Sequence, residues 1–556
     1  MANTRRGAAF FAVVGPAPGS DRAQIFAAAE AYLGCRGRLY RVTQGHLDAW
    51  IAAPPQLAGA GEDLAPPHER DRSLTLIAEA GTAAVSLEGT ANGGIARADS
   101  LGRRTLHWAP CGPDAVLVAT AIRPIVAALR ALGRRCGFDA SGLHRFFTYS
   151  YVPAPFTAFD GISTVPPGHE VRFTIGGGVT APQRFYDVPA TRGNAWPADD
   201  EAARSLCTTL RRVVEDEHDR RGGDAAGILL SGGLDSAFVA WAARELPNAR
   251  ALTLDLEADS EADAAGAIAS ALRLPHERVR ITGNDAQGAL EGAARALDTP
   301  IGDPVVVPFF HLGARAGVRT LLTGEGGDQL FAGWATKPML SWARYAGPDE
   351  DVAAAYAQTF HKLHDVRLEA FGPAIRDLPL DPARDLAPFL AEDRAARHDG
   401  FFHLLCDANL WLKGAGNILP RIERTLGAHG IDAVSPFLDP RFVAAAFAVA
   451  PTQKQRATTE KWILRHALRD VLPSEIIDLP KRGMRVPVSL WLSSDLAGYA
   501  REMLTSSRFR SLGWLDPVFV DRLLSGEVRS PDLRRRRRDE WLWMALFAAV
   551  WADAHR

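Results

Sequence analysis

The sequence predicts an α/β protein in two parts: a strand-rich amino-terminal part, and a larger part on a parallel sheet that turns helical toward its end. Three observations lead there. Residues 1–190 read mainly as strands and turns, in β-rich runs mostly bounded by Gly, Pro or Asp. From Glu201 helices alternate with short apolar strands, the pattern of a parallel sheet with helices packed on it. After Trp334 the pattern is almost wholly helical.

Taken in order, the runs 37–42, 74–78, 83–87 and 115–119 are expected strands, with helices near 23–33 and 124–132. The Gly/Pro/Asp-rich passage Pro189 to Asp200 reads as a boundary, giving one domain over 1–190 and another over 200–556. Expected strands of the second part are 227–230, 251–254 and 319–322. At 556 residues the chain exceeds one ordinary domain.

Composition is that of a soluble globular chain, with 47% hydrophobic and 23% charged residues and a formal net charge of −2. No global charge drives it toward nucleic acid or a membrane surface. No apolar stretch is long enough to span a bilayer, and the start reads as a first strand rather than a signal peptide. The five cysteines, Cys35, Cys111, Cys136, Cys207 and Cys406, show no metal-ligand pairing. They read as reduced thiols of a cytoplasmic protein.

The most specific segment is Gly227-Ile228-Leu229-Leu230-Ser231-Gly232-Gly233-Leu234-Asp235-Ser236, followed by an alanine-rich helix. Strand, Ser/Gly turn and helix N-terminus gather backbone N–H groups around one small cavity, which suits a phosphate chain. The spacing is not that of a Walker loop. Asp235 stands where a Walker loop has its lysine, and a carboxylate beside a triphosphate needs a divalent cation between them, so the segment implies Mg²⁺ with ATP. The bland alternative is a glycine-rich turn with Asp235 capping the helix. A second turn, Thr323-Gly324-Glu325-Gly326-Gly327-Asp328, repeats the logic about ninety residues on. Asp235 and Asp328 are therefore expected to hold one Mg²⁺ at adjacent strand ends.

With Asp298-Thr299-Pro300, Asp303, Leu419-Pro420-Arg421-Ile422-Glu423-Arg424, Ser435-Pro436-Phe437-Leu438-Asp439, Lys461-Trp462-Ile463-Leu464-Arg465 and Pro480-Lys481-Arg482-Gly483 in order, the second part resembles the asparagine synthetase family. That family is a branch of the ATP-pyrophosphatase fold. The resemblance implies a carboxylate activated as an acyl-adenylate, then attacked by an amine. It implies a nucleotide site of Leu229, Ser231, Gly232, Gly233, Asp235, Ser236, Leu254 and Gly324. Lys481 matches the lysine that faces the activated acyl group, and a fixed cation there would stabilise developing negative charge. Asp432 matches a position that is normally Glu near the reacting centre.

Phe159-Asp160-Gly161-Ile162-Ser163-Thr164-Val165-Pro166-Pro167-Gly168-His169-Glu170 resembles the end of that family's glutaminase domain, which implies an Ntn-hydrolase-like αββα sandwich. The glutaminase nucleophile is an amino-terminal cysteine. The second residue here is Ala2, so the domain is expected to be a scaffold without that chemistry. Branches that work without glutamine are the β-lactam synthetases, the carbapenam synthetases and the lasso peptide cyclases. In the first two a Tyr–Glu dyad deprotonates the amine; here Glu325 and Asp432 occupy those places. Gly326-Gly327-Asp328-Gln329 looks more like the lasso cyclases, which close a precursor peptide on its own first amine. That reading implies a precursor peptide, a companion leader peptidase and a leader-recognition protein as partners. The small-molecule lactam synthetases, a glutamine-independent asparagine synthetase and a non-catalytic ATP-binding scaffold stay open.

Two further features have bland readings. Arg534-Arg535-Arg536-Arg537-Arg538 could dock an acidic partner, but reads better as a solvated start to a helix that packs Trp541, Trp543 and Phe547 on the core. Phe401-Phe402-His403 and Trp411 could line a peptide cavity or belong to the core.

Overall fold

The computed structural model describes residues 3–7, 9–15, 19–33, 38–44, 47–53, 74–80, 83–90, 92–257, 261–331, 333, 337–347, 350–478, 484–528 and 535–556. The chain divides into two units, 1–142 with 153–187, and 143–152 with 188–556.

The first unit holds two sheets. One runs in the order 3–7, 74–80, 83–90, 93–97, 169–174, 178–179, with 183–184 also on the 169–174 strand; the other runs 163–164, 107–110, 116–119, 9–14, 47–53, 38–44. Alternation along the 9–14 strand explains the packing. Phe10, Ala12 and Val14 point into a core shared with Leu76, Leu87, Val118 and Phe173, while Phe11 meets Phe26 of the helix Gly19–Leu33, ring centroids 5.7 Å apart. That helix packs with Ile122–Ala131 on the same sheet. The described residues thus show an α/β/β order; the second helical layer of the expected αββα sandwich is not among them. Residues 143–149 of the helix Ala140–Tyr149 belong to the second unit. There Arg145 Nε donates to Asp385 at 2.8 Å and Tyr149 Oη to the Pro382 carbonyl at 3.0 Å.

The second unit is built on a five-stranded, wholly parallel sheet in the order His276–Ile281, Arg250–Leu256, Ala226–Leu229, Thr320–Leu322, Asp432–Val434. The three inner strands are the apolar ones that the sequence marks. Both edges escaped it: 276–281 alternates charged residues, as an edge strand can, and 432–434 is three residues long. Beyond the sheet the unit is helical, apart from a hairpin of 455–456 with 459–460. The last helix, Arg535–His555, buries Trp541, Trp543, Phe547 and Trp551, so it is a core element. Residue 534 and the side chains of 535–537 lie outside what the structure describes. Phe402, His403 and Trp411 are buried, His403 stacking on Trp196 at 5.4 Å and Trp411 donating to Asp407 at 2.5 Å, which is core packing. Among the described residues no helix is long and apolar enough to cross a membrane.

Candidate active site

The site forms at the carboxyl ends of the central strands, where an open α/β sheet binds ligands. The 226–229 strand ends in a turn fixed from below: Leu230 N–H donates to the Leu252 carbonyl at 2.9 Å, and Thr253 Oγ1 donates to the Leu230 carbonyl at 2.7 Å. The turn braces itself, with Ser231 N–H donating to Ser236 Oγ at 3.1 Å and Ser236 Oγ donating to the Gly233 carbonyl at 2.9 Å. Gly232 has φ +73°, and a Cβ there would lie 3.1 Å from the Glu261 carbonyl oxygen, so glycine is required twice over. Leu234–Ala243 then starts the helix, with Asp235 and Ser236 in its first turn.

Beside the turn is a small cavity whose lining includes Leu229, Leu230, Ser231, Leu254, Leu256, Glu261 and Arg485. Its lining combines four leucines with the Ser231 hydroxyl turn, apolar surface and hydrogen-bonding groups of the kinds that a nucleotide site uses. Leu229, Ser231 and Leu254 of the sequence-derived nucleotide set line it directly. Gly232 and Gly233 form the turn. Gly324 approaches from the neighbouring strand so closely that a Cβ would sit 2.7 Å from the Ser236 nitrogen.

Asp235 and Asp328 meet on one cation. Both carboxylates accept a hydrogen bond from the Lys461 ammonium, which is 1% exposed. The approach needs glycine again: a Cβ on Gly327 would fall 2.4 Å from the Asp235 carboxyl carbon, and one on Gly333 would fall 2.4 Å from that of Asp328. Lys461 sits at φ +54°, a left-handed conformation rare for a side-chain-bearing residue. In the sequence Lys461 is one member of a motif with no assigned role, and spacing gives no sign of its place between two acidic turns.

The residues fit a magnesium ion. Among the described residues no three His, Cys, Asp or Glu gather as a protein cage, and the donor set is two carboxylates converging where an ammonium already sits. Two carboxylates with phosphate oxygens complete a Mg²⁺ shell. Asp235 and Asp328 would hold the ion.

The other motifs pair with one another. Arg421 donates to Asp303 and, at 3.1 Å, to Glu325; Arg424 pairs with Asp298 at 3.0 Å; Asp439 caps the helix Pro440–Phe447 through Arg441 N–H at 2.9 Å. Burial is the largest influence on Glu325 and raises its carboxyl above the usual range, against the opposing Arg421 charge. For Arg421 burial disfavours the charge, yet Asp303 and Glu325 outweigh it and raise the group further.

Asp432 requires a correction. It begins the 432–434 strand, its N–H donates to the Arg319 carbonyl at 2.8 Å, and its carboxylate lies 3.8 Å from Arg221 Nε. Because the strand is parallel to its neighbours, Asp432 is at the amino-terminal edge of the sheet, opposite the edge that carries Asp235, Asp328 and Glu325. A matching position in a motif said which strand it is on, not which end faces the chemistry. Lys481 lies outside the described residues.

A parallel α/β sheet with a Ser/Gly turn, a small lined cavity and two carboxylates on one cation at its strand ends is the arrangement of a phosphate-binding α/β domain. The asparagine synthase family model matches residues 209–553, and the chain belongs to that family. At that level it is an ATP-dependent amide-forming ligase. Among similar proteins, one of Mycobacterium tuberculosis, provisionally named asparagine synthetase (glutamine-hydrolyzing), is 28% identical over 480 residues, 79% of this chain and 71% of that protein. Asparagine synthetase (glutamine-hydrolyzing) 1 of Bacillus subtilis is 22% identical over 453 residues, 74% of this chain and 68% of that one.

Proposed function

We propose that the protein is a lasso peptide cyclase. ATP activates an Asp or Glu side-chain carboxylate of a leader-cleaved precursor peptide as an acyl-adenylate, and the peptide's first amine attacks to close a macrolactam, with AMP and pyrophosphate released. The observation that carries the adenylation half is the convergence of Asp235 and Asp328 on one buried cation beside the cavity. A metal ion held by the two carboxylates would neutralise phosphate charge. Ser231 and the 231–235 turn would orient the phosphates, and Lys461 would place a fixed cation near the developing charge, the role that the family resemblance implies for Lys481.

The attacking amine must lose a proton before it bonds. Glu325 suits the role of acceptor, because it lies on the Asp328 turn and burial raises its proton affinity. Arg421 holds its carboxylate in place. Glutamine is not needed on this reading. Support comes from the described cysteines of the first unit, Cys111 and Cys136, which are buried, with burial raising the Cys136 thiol above its ordinary range, the opposite of an activated nucleophile. The reading also takes the precursor peptide, a leader peptidase and a leader-recognition protein as partners and the cytoplasm as location.

The test is mass spectrometry of the protein incubated with MgATP, the companion protease and the peptide encoded beside its gene. The expected product is lighter than the linear core by one water, with AMP and pyrophosphate formed. ADP as coproduct would overturn adenylation. A lactam made from a β-amino acid, with no peptide processed, would transfer the activity to the small-molecule synthetases.

A further inference from the structure

The helix that begins at Phe401–Asn409 and continues through Leu419–Gly427 is interrupted by a nine-residue π-turn, Leu410–Ile418. Such widened turns cost backbone geometry and occur frequently at functional sites. Along it Lys413, Asn417 and Arg421 recur every fourth residue and so share a face. The far end of that face is already in the site, since Arg421 binds Asp303 and Glu325. The near end is there too: the Lys413 ammonium is in the field of Asp303, Asp328 and Arg421, and 5.9 Å from the Phe360 ring centroid.

Two side-chain amides stand on these elements. Gln329, next to the Asp328 carboxylate in sequence, packs against the π-turn, its Cγ 3.8 Å from where a Cβ on Gly414 would stand. Gln329 Oε1 and Asn417 Oδ1 are buried, and neither has a hydrogen-bond partner among the described residues. A buried carbonyl left in that state costs about 1–3 kcal/mol. A ligand that brings N–H groups recovers it.

We propose that the π-turn and Gln329 form the acyl-donor subsite, where Lys413 donates to a carbonyl oxygen while Asn417 and Gln329 accept N–H groups, so that the site takes an acyl donor already carrying amide bonds, a peptide rather than a free amino acid. The inference rests on the ligase reading above and deepens it. A site built to hydrogen-bond its substrate rejects analogues that lack the groups, because its own buried polar atoms then stay unpaired. Burial is the largest influence on Lys413 and, with Lys362, lowers its ammonium to about 8. It is therefore still a donor at neutral pH.

Calorimetry with three stable compounds tests this: adenosine 5′-sulfamate, its conjugate with the side-chain carboxyl of free glutamate, and its conjugate with N-acetyl-glutamate N-methylamide. The amide-bearing conjugate is expected to bind at least tenfold more tightly than the free amino-acid conjugate. Lys413→Met and Asn417→Leu should each reduce that ratio at least fivefold, and Lys413→Arg should restore part of it. Gln329→Leu, on a different element, gives the same readout should Lys413→Met not fold. A ratio near one in the wild type, or a ratio unchanged in the folded variants, overturns the subsite. If neither MgATP nor adenosine sulfamate binds, the ligase reading falls with it.

Discussion

Lys461 carries its ammonium to the Asp235 carboxylate across 226 residues of chain, and the same group reaches Asp328. Two acidic turns from separate strands are thereby bridged, and one of their two negative charges offset, by one residue whose backbone is held in the left-handed region. Strain at such a position persists only where the surroundings over-determine it. On the proposed reading, a site that receives a metal ion and a triphosphate is kept compact beforehand by a cation of its own.

Lys461→Met should leave Asp235 and Asp328 facing each other without that cation. Its melting temperature should rise with millimolar Mg²⁺ alone, and more than the wild type's does, because the ion relieves a repulsion that Lys461 otherwise cancels. Equal Mg²⁺ responses would remove Lys461 from the metal site. ATP–pyrophosphate exchange should fall on the order of 10²–10³.

Gly327→Ala should abolish exchange with little change in circular dichroism. The added Cβ would fall 2.4 Å from the Asp235 carboxyl carbon, so it displaces a metal ligand while opening no cavity. Asp235→Ala and Asp328→Ala should give the same result. Near-normal exchange in any of the three would sink the two-aspartate site.

Glu325→Gln and Asp432→Asn separate the two carboxylates that the sequence suggests as a dyad. Asp432→Asn should stay within about threefold of the wild type in macrolactam formation, since it is at the far edge of the sheet. Glu325→Gln should lose on the order of 10²-fold, the usual scale for a general base. Below the raised Glu325 value the wild-type rate should decline as the carboxyl takes up a proton, and that limb should vanish in Glu325→Gln. The reverse ranking of the two variants would return Asp432 to the reaction.

Lys454 supplies a pH dependence of stability. Its side chain is fully buried, 5.1 Å from the Phe447 and 5.7 Å from the Phe331 ring centroids, with no hydrogen-bond partner for Nζ among the described residues. Burial lowers it to about 8 from 10.5. Between those values the unfolded chain holds a proton that the folded one does not, so stability rises with pH through that window and is lost as pH falls through 8. Lys454 accounts for about 3 kcal/mol of the rise. Chemical unfolding of Lys454→Met from pH 7 to 10.5 should show a flatter rise, with stability at pH 7 equal to or above the wild type's. Parallel curves for the two proteins would show that Lys454 does not titrate there.

The elements whose cause is local were legible in the chain before any fold was known. The apolar runs made the inner strands, the Ser/Gly turns named the nucleotide site, and the order of the motifs gave the family. Those signals are legible because strand propensity, turn glycine and helix start act over a few residues. Which of these residues meet one another is settled by the fold alone. The five-stranded order placed the 432–434 strand at one edge, and its parallel direction put Asp432 at the end of the sheet opposite Asp235, Asp328 and Glu325. It brought Arg421 to Asp303 and Glu325, and Lys461 to both aspartates. It also brought Lys413, from the π-turn, into the field of Asp303 and Asp328. None of this could be read from spacing, because a parallel sheet joins residues one to two hundred positions apart through crossovers. Which end of a strand faces the ligand is fixed by its direction in that sheet.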